Sequence, residues 1–383
     1  MKSLLLSVAL VTAFAASAQT TEAPTATTVA TQYANLVYAS YTDTLIAAKT
    51  LQSTVAEFTS KPSVEGLAKA RKAWLDAREY YGQTEAFRFY AGPIDDKNGP
   101  EGNINSWPMD EAYVDYVVGK PQSGIINNPK VKINAKALTG LNQRSGEENI
   151  ATGWHAIEFL LWGQDLSETG PGNRSYEDFV DGKTPNANRR RDYLKVVSAL
   201  LVNDMETVTK AWAPDAKNYR AKFEKSGTDA LRRMLVGIGS LSRGELAGER
   251  IEVALASKNQ EDEQSCFSDN THRDIVADAL GIENVWLGRY KRADGSVLQG
   301  ASLRDLVAVQ DIAIADRTSA QIATSVKAAE SIHAPFDREI VEPEGRKRLQ
   351  VVVDSLKLQS KDFVDAAKAI GIAKLSIAEP KSK

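Results

Sequence analysis

The residues of this chain best suited to chemistry are a histidine and a glutamate three positions apart, His155 and Glu158. On an α-helix, positions i and i+3 lie on one face, so the imidazole and the carboxylate are close enough to bind one metal ion. The residues around them are almost all apolar, which predicts a buried helix in which both groups must be paired or ligated. A His–Glu hydrogen bond inside the core is the alternative, and the bare H-x-x-E pattern does not decide between them.

The other potential ligands limit the kind of metal site. The chain has three histidines and one cysteine, so carboxylates must complete any site. One nitrogen with several oxygen ligands favours iron or manganese over a thiolate-rich zinc site. The H-E-x-x-H motif of zinc peptidases is absent from the sequence, and a ligating Glu158 would leave no obvious general base beside the metal. The residue types therefore favour binding and leave enzymatic activity uncertain. The single Cys266 is interpreted as a small buried side chain.

Helices, rather than strands, must position these residues. Apolar residues recur at spacings of three and four along most of the chain, and Ser63 has the position of a helix cap. The sequence predicts an all-α fold of two helical bundles, one over residues 31–189 and one over residues 190–383. The helices are expected near residues 41–58, 63–87, 190–211, 228–256, 271–289, 302–332 and 345–370. Long loops over residues 91–108, 120–146 and 163–189 are expected to shape the entrance to a site.

The N-terminus has the pattern of a secretory signal peptide over residues 1–18. Lys2 precedes an apolar stretch, and Ala16-Ser17-Ala18 is a small-x-small cleavage site. That stretch is too short to span a membrane, and no transmembrane anchor is expected in the mature chain. Residues 19–30 are expected to form a flexible leader. These features predict a periplasmic, secreted or cell-surface protein, and a net charge of -3 without a basic stripe argues against nucleic-acid binding.

Residues 153–165, which contain His155 and Glu158, resemble the G-x-H-x-x-E signature of the imelysin family. This family includes the insulin-cleaving metalloproteinase and the iron-regulated protein A group, and it is related to the EfeO-type HxxE domain. Other stretches of the chain resemble further landmarks of the family over essentially the whole mature length. These stretches are residues 74–78, 83–89, 105–111, 241–250 and 265–272.

The resemblance implies two helical bundles related by a distant internal duplication, with a functional site in the crevice between or beside them. It also implies candidate ligands, because Glu85 and Asp110 match the family's pattern and would join His155 and Glu158 at the metal. Each has a structural alternative. Glu85 could pair with Arg88, three residues on, and Asp110 could complement the N-terminus of a short helix.

The second half of the chain offers a further set of candidates. Glu245 and Glu249 are spaced i and i+4 for one helix face, and Asp269 and His272 lie three apart at a helix start. If the two halves are duplicates, Glu249 has the role of Glu85, and His272 belongs to a degenerate or second site. The alternative is structural, because residues 268–271 are a run of four good capping residues.

These observations predict an exported metal-binding protein that takes part in iron acquisition. Its ligand would be a divalent or trivalent metal ion, with iron favoured and zinc possible, or a metal-loaded small ligand. An envelope iron-transport component would be its partner. One alternative is a metallopeptidase of the insulin-cleaving type that uses the same site. Another is a metal-free adhesion or partner-binding module in which the His–Glu pair is structural.

Overall fold

The computed structural model describes residues 23–380 and is built almost entirely of helices. In the first half, α1 (Ala26–Ser60) packs along both α2 (Val64–Thr84) and α8 (Ala187–Ala211), and α7 (Gly153–Trp162) packs against α2 and α8. Shorter elements lie between α2 and α8: the 3-10 turns Glu85–Phe87 and Tyr176–Phe179, α3 (Glu101–Ile104), α4 (Glu111–Val114), α5 (Gly124–Asn127) and α6 (Ala135–Leu141). The N-cap of α2 is Ser63, whose side chain accepts a hydrogen bond from the Gly66 N–H, as predicted.

The second half is also helical and ends in a long helix. Its helices are α9 (Tyr219–Phe223), α10 (Thr228–Ser240), a π-helix (Leu241–Glu252), α11 (Val253–Ser257), the 3-10 turn Gln260–Asp262, α12 (Thr271–Leu287), α13 (Leu303–Gln310), α14 (Ile312–Glu330), α15 (Phe336–Val341) and α16 (Pro343–Ala369). α14 packs against α12 and α16, and α16 also covers the π-helix. A small antiparallel hairpin of β1 (Arg289–Lys291) and β2 (Val297–Gln299) follows α12.

The two halves pack closely where α2 contacts α12. A Cβ added at Gly82 of α2 would lie 2.6 Å from the Cβ of Ala277, and one added at Gly281 of α12 would lie 2.4 Å from the Gln83 carbonyl oxygen. Glycine at both positions therefore lets the two backbones pack closely. This contact brings the carboxyl-terminal turns of α2 against the middle of α12.

The structure differs from the sequence prediction in the leader, in one long helix, and in the loops predicted over residues 91–108 and 120–146, which contain α3, α5 and α6. The leader predicted over residues 19–30 was wrong from Ala26 onward, because α1 begins there and buries Val29 and Ala30 in the core. One helix was expected over residues 302–332, but Asp311 separates α13 from α14 and caps α14 by accepting hydrogen bonds from two backbone N–H groups. The signal peptide predicted over residues 1–18 lies outside the described residues.

The all-α class is confirmed. The internal duplication and a boundary near residue 190 stay predictions, and α8, which contains that boundary, packs against first-half helices. Among residues 23–380, no helix is both long enough and apolar enough to cross a membrane.

Candidate functional site

The helix that carries the H-x-x-E pattern is the most deeply buried helix of the first half. All ten residues of α7 are buried. The helix begins at Gly153, where φ is +87° and an added Cβ would lie 2.4 Å from the Ile104 carbonyl oxygen, so only glycine fits there without strain. At the next residue, the Trp154 carbonyl accepts a 3.0 Å hydrogen bond from the Trp74 Nε1–H, which joins α7 to α2.

His155 and Glu158 contact each other directly. The Nδ1 atom of His155 lies 2.8 Å from Oε2 of Glu158, and both side chains are at most 1% exposed. The other carboxylate oxygen of Glu158 accepts two hydrogen bonds from Ser268, from its backbone N–H at 2.9 Å and its hydroxyl at 2.7 Å. The Nε2 atom of His155 is buried and has no hydrogen-bond partner among residues 23–380. The pair therefore uses one ring nitrogen and leaves the other available.

The surroundings favour the uncharged forms of both groups. Burial, with the positive charge of Arg78, lowers the pKa of His155 to about 3. Burial raises the pKa of Glu158 to about 8, although the hydrogen bonds from Ser268 act in the opposite direction. At neutral pH the imidazole is therefore neutral, which is the form that binds metal ions.

A buried ion pair joins the two halves beside this histidine. Arg78 of α2 donates hydrogen bonds to Asp274 of α12 at 3.0 and 2.9 Å, and both side chains are 1% exposed. The guanidinium also lies within 6 Å of the rings of Trp74, Tyr81 and Trp154. The Arg78 charge is thus compensated by one carboxylate and three aromatic faces.

The predicted ligand Glu85 lies in a second buried ion cluster. It is 1% exposed, and its Oε2 accepts hydrogen bonds from Arg88 at 2.6 Å and from Arg250 at 2.7 Å. Although burial alone raises its pKa, the two guanidinium groups lower the pKa of Glu85 to about 2. The pairing with Arg88 given as the alternative is therefore present, and Asn105 donates to the remaining oxygen at 3.3 Å. The carboxylate of Glu85 therefore serves as the counter-ion of Arg88 and Arg250.

The π-helix changes which residues of the second half share a face. In a π-helix the hydrogen bonds run from i to i+5, so residues five apart come together. Glu245 accordingly accepts hydrogen bonds from Arg250 at 2.9 and 3.2 Å, and the same Arg250 bonds to Glu85. An α-helix would align Glu249 with Glu245. In the structure Glu249 is half-buried and lines a cavity of about 340 Å³. Glu245 thus shares an arginine with Glu85.

Three further predicted residues have contacts other than the His155–Glu158 hydrogen bond. Asp110 is exposed and caps α4 by accepting a 3.0 Å hydrogen bond from the Ala112 N–H. His272 is half-buried, with its Nδ1 3.1 Å from the Asp269 carbonyl oxygen. The carboxylate of Asp269 lies instead with those of Asp165 and Asp337.

Sequence reasoning missed the residues that hold the pair in place. Ser268 looked like one of four helix-capping residues, but α12 begins at Thr271 and the Ser268 side chain binds Glu158. Arg78 and Asp274 had no local pattern that would identify their pairing across 196 positions. The available signal was indirect, because Arg78 and Ser268 both lie in stretches that resemble landmarks of a known family.

Comparisons with known proteins identify relatives of this chain. The family model for imelysin, peptidase family M75, matches residues 37–363. The chain is 26% identical over 345 residues to iron-regulated protein A of Synechococcus elongatus, covering 88% of this chain and 83% of that protein.

Two solved structures share the fold. A protein named as an iron-regulated protein A precursor from Parabacteroides distasonis gives a TM-score of 0.70 at 18% identity, over 90% of this chain and 95% of that one. An imelysin-like protein from Psychrobacter arcticum gives a TM-score of 0.63 at 15% identity, over 90% and 96%. Since the family model spans most of the chain and the helical architecture agrees, the protein belongs to the imelysin family.

Proposed function

We propose that this protein binds a metal ion in the cell envelope as part of iron acquisition, with Nε2 of His155 as the nitrogen ligand. The observation that supports this proposal is the buried Nε2 atom without a hydrogen-bond partner in the described part of the chain. Buried polar atoms are rarely left unpaired. We therefore expect Nε2 to contact a ligand, an ion or a water molecule. Iron is the favoured metal because relatives from S. elongatus and P. distasonis carry iron-regulated names.

The contacts of His155 match those of metal-binding histidines. Such a histidine usually donates its second ring N–H to a carboxylate, which fixes the ring and makes it more basic. Glu158 has that position at Nδ1, and Ser268 holds Glu158 from the second half of the chain. In this arrangement Glu158 orients the ligand, whereas the sequence had suggested that it binds the metal itself.

The oxygen ligand that we propose is Asp278 of α12. Its side chain is 0% exposed, and neither carboxylate oxygen has a hydrogen-bond partner in the described residues. The Nη1 atom of Arg250 forms an ion pair with Oδ2 of Asp278 at 3.5 Å. Since the same four charged side chains act on the pKa of His155 and of Asp278, both groups belong to one buried polar region. Those four side chains are Arg78, Asp274, Arg250 and Glu85.

The charges around this region can tolerate an added cation. Arg78 is offset by Asp274, and Arg250 is offset by Glu85, so two ion pairs leave no net charge from these four groups. The carboxyl groups of Glu158 and Asp278 remain, and each would be ionised more readily beside a metal ion. Glu85 already binds two arginines and Asp110 is exposed, so neither is included in the proposed ligand set.

The proposal is tested by metal content and affinity measured together. Elemental analysis of the purified mature chain measures its metal content first. The chain is then titrated by calorimetry with ferrous ion under anaerobic conditions, with ferric citrate and with zinc. We expect one ion per chain in the wild type, at least a hundredfold weaker binding in His155→Gln and Asp278→Asn, and roughly 10–100-fold weaker binding in Ser268→Ala, because that hydroxyl orients Glu158.

His272→Gln is the matched control, since that histidine lies outside the pair and its loss leaves Nε2 of His155 unchanged. Circular dichroism confirms that each variant is folded. Equal iron affinity in wild type and His155→Gln would show that the H-x-x-E pair is structural and would refute this ligand assignment.

A further inference from the structure

A group of carboxylates lies next to the His155–Glu158 pair, and none of the basic side chains in residues 23–380 forms an ion pair with them. Asp165 follows α7, Asp269 precedes α12, and Asp337 lies in α15, so three elements distant in sequence converge here. One oxygen from each carboxylate lies within 4.8 Å of the others. The three residues are only 3%, 7% and 7% exposed, so water does not screen their charges well.

Many of the oxygens in this cluster have no hydrogen-bond partner. Among residues 23–380, no partner is found for Oδ2 of Asp165, Oδ1 of Asp269 or either oxygen of Asp337. The arginine next in sequence, Arg338, is paired with Glu342 instead. Buried carboxylates this close together repel one another. The arrangement is unfavourable unless protons or a cation neutralise their charges.

A fourth buried carboxylate points to the same place independently. Glu263 is 0% exposed, and neither of its oxygens has a hydrogen-bond partner within the described chain. Its carboxyl group contacts that of Asp337. Burial, with the charges of Asp337 and Asp269, raises the pKa of Glu263 well above its usual range. Within the described residues, the interior thus contains a buried carboxylate that contacts Asp337 and forms no ion pair with a basic side chain.

The raised pKa values of two of the aspartates agree with a missing positive charge. Burial and the neighbouring Asp337 raise the pKa of Asp269 to about 8, and burial raises the pKa of Asp165 to about 6. A bound cation would reverse this effect by favouring the ionised carboxylates.

We propose that Asp165, Asp269 and Asp337, with Glu263 beside them, form a binding site for one hard divalent cation of the Ca²⁺ type. The donor set is entirely carboxylate oxygen, with no sulfur or imidazole nitrogen, which suits Ca²⁺ better than softer ions. Ca²⁺–oxygen distances of about 2.3–2.6 Å allow ligand oxygens on opposite sides of the ion to be separated by roughly twice that length. Carboxylate oxygens within 4.8 Å of one another are close enough to share one such ion.

The site has a route to solvent and a connection to the histidine. Asp165 and Asp337 line a cavity of about 750 Å³. Asp269 directly follows Ser268, the residue that holds Glu158. A cation bound to Asp269 would therefore fix the segment that orients the H-x-x-E pair, while occupying a different position from the metal proposed at His155.

The experiment uses the full mature chain, freed of metal with a chelator that is then removed. Calcium, magnesium and manganese chlorides are titrated separately by calorimetry, and thermal unfolding is recorded with and without each ion. We expect one Ca²⁺ per chain and a higher Tm in its presence. Asp337→Asn is expected to weaken Ca²⁺ binding at least a hundredfold and to abolish the Tm increase.

Asp337→Asn has a second readout that separates ligand loss from misfolding. In chelator this variant is expected to melt at or above the wild-type temperature, because it removes one carboxylate from a crowded cluster. Glu168→Gln, an exposed acid on the same cavity, is the matched control and should bind Ca²⁺ like the wild type.

His155→Gln distinguishes this site from the proposed iron site and should retain full Ca²⁺ affinity. The absence of any Ca²⁺, Mg²⁺ or Mn²⁺ binding by the wild type, unchanged Ca²⁺ affinity in Asp337→Asn, or loss of Ca²⁺ binding in His155→Gln would each overturn the proposal.

Discussion

At the residue scale, this protein buries charged side chains and compensates most of them in pairs. Glu85 illustrates the pattern, since it lies between Arg88 and Arg250 with almost no exposure to water. Such a pair contributes modestly in net terms but is expensive to break, because the partner is left charged and buried. His155 is uncharged at neutral pH, and its Nε2 atom has no hydrogen-bond partner in residues 23–380.

The lowered pKa of Glu85 predicts a specific pH dependence. Because the unfolded chain binds this proton at about pH 4.5 and the folded chain only at about pH 2, ionised Glu85 stabilises the fold above pH 4.5. That contribution, roughly 3 kcal/mol, is lost as the pH falls from 4.5 towards 2. Glu85→Gln is therefore expected to be less stable at pH 7 and to lose less stability on acidification.

Urea unfolding between pH 2 and 7 measures this difference in the free energy of unfolding. The exposed Glu57→Gln on α1 is the control and should follow the wild type. Parallel stability curves for wild type and Glu85→Gln would contradict the assignment of Glu85 as an ionised, arginine-bound group.

At the element scale, close backbone packing decides where the site residues lie. Gly82 and Gly281 let α2 and α12 approach closely, and this contact places Arg78 beside Asp274. The π-helix then brings Arg250 to Glu85. π-Helices are uncommon and occur often at functional sites, and this one occupies the second-half stretch that carries the Glu245–Arg250 contact.

Adding a methyl group at the α2–α12 contact should disturb both stability and the site. In Gly281→Ala, the new Cβ would lie 2.4 Å from the Gln83 carbonyl oxygen, so the helices must separate. We expect a loss of about 1–3 kcal/mol in the free energy of unfolding and weaker metal binding. Gly140→Ala in α6 is the control, because an added Cβ there meets no atom within 4 Å.

Helix propensity alone should make Gly140→Ala neutral or more stable by roughly 0.5–1 kcal/mol. Urea unfolding and metal titration of both variants give the comparison. A Gly281→Ala protein as stable as the wild type would show that the contact between these helices is looser than the structure indicates.

At the scale of the whole molecule, the site exists only where the two halves meet. Glu158 from the first half depends on Ser268 from the second, and Arg78 depends in the same way on Asp274. The ion pair of Glu85 with Arg250 makes a third such link. Because every link is buried, separating the halves would expose unpaired charges and hydrogen-bonding groups at once.

Breaking the Arg78–Asp274 pair should therefore destabilise the whole molecule. Arg78→Met is expected to cost about 3–5 kcal/mol, because Asp274 would be left buried with a charge that its remaining neighbours do not neutralise. The double variant Arg78→Met/Asp274→Asn should recover part of that loss. Arg273→Met is the matched control, since Arg273 joins the same two helices through Glu79 but is 40% exposed.

That exposed pair should contribute less than about 1 kcal/mol. Chemical denaturation followed by tryptophan fluorescence measures all three variants. If Arg78→Met and Arg273→Met lost the same stability, the buried pair would not be the link that we describe.

The sequence by itself determined the features that depend on near neighbours. Helical periodicity indicated the all-α class, Ser63 was identified as a cap, and three-residue spacing placed His155 with Glu158 on one helix face. These features follow from local geometry, because helix repeats, caps and i, i+3 contacts involve residues within one or two turns. The alternative pairing of Glu85 with Arg88 was predictable for the same reason.

Only the tertiary structure decided which distant groups meet. Ser268 reaches Glu158 across 110 positions, and Arg250 reaches Glu85 across 165. No periodic pattern encodes such contacts, because they depend on how α2, α7, α12 and the π-helix pack. The convergence of Asp165, Asp269 and Asp337 has the same origin, since they come from three segments far apart in sequence, and only Asp269 was a candidate from the sequence. Sequence spacing therefore identified the H-x-x-E pair, whereas helix packing determined the groups that surround it.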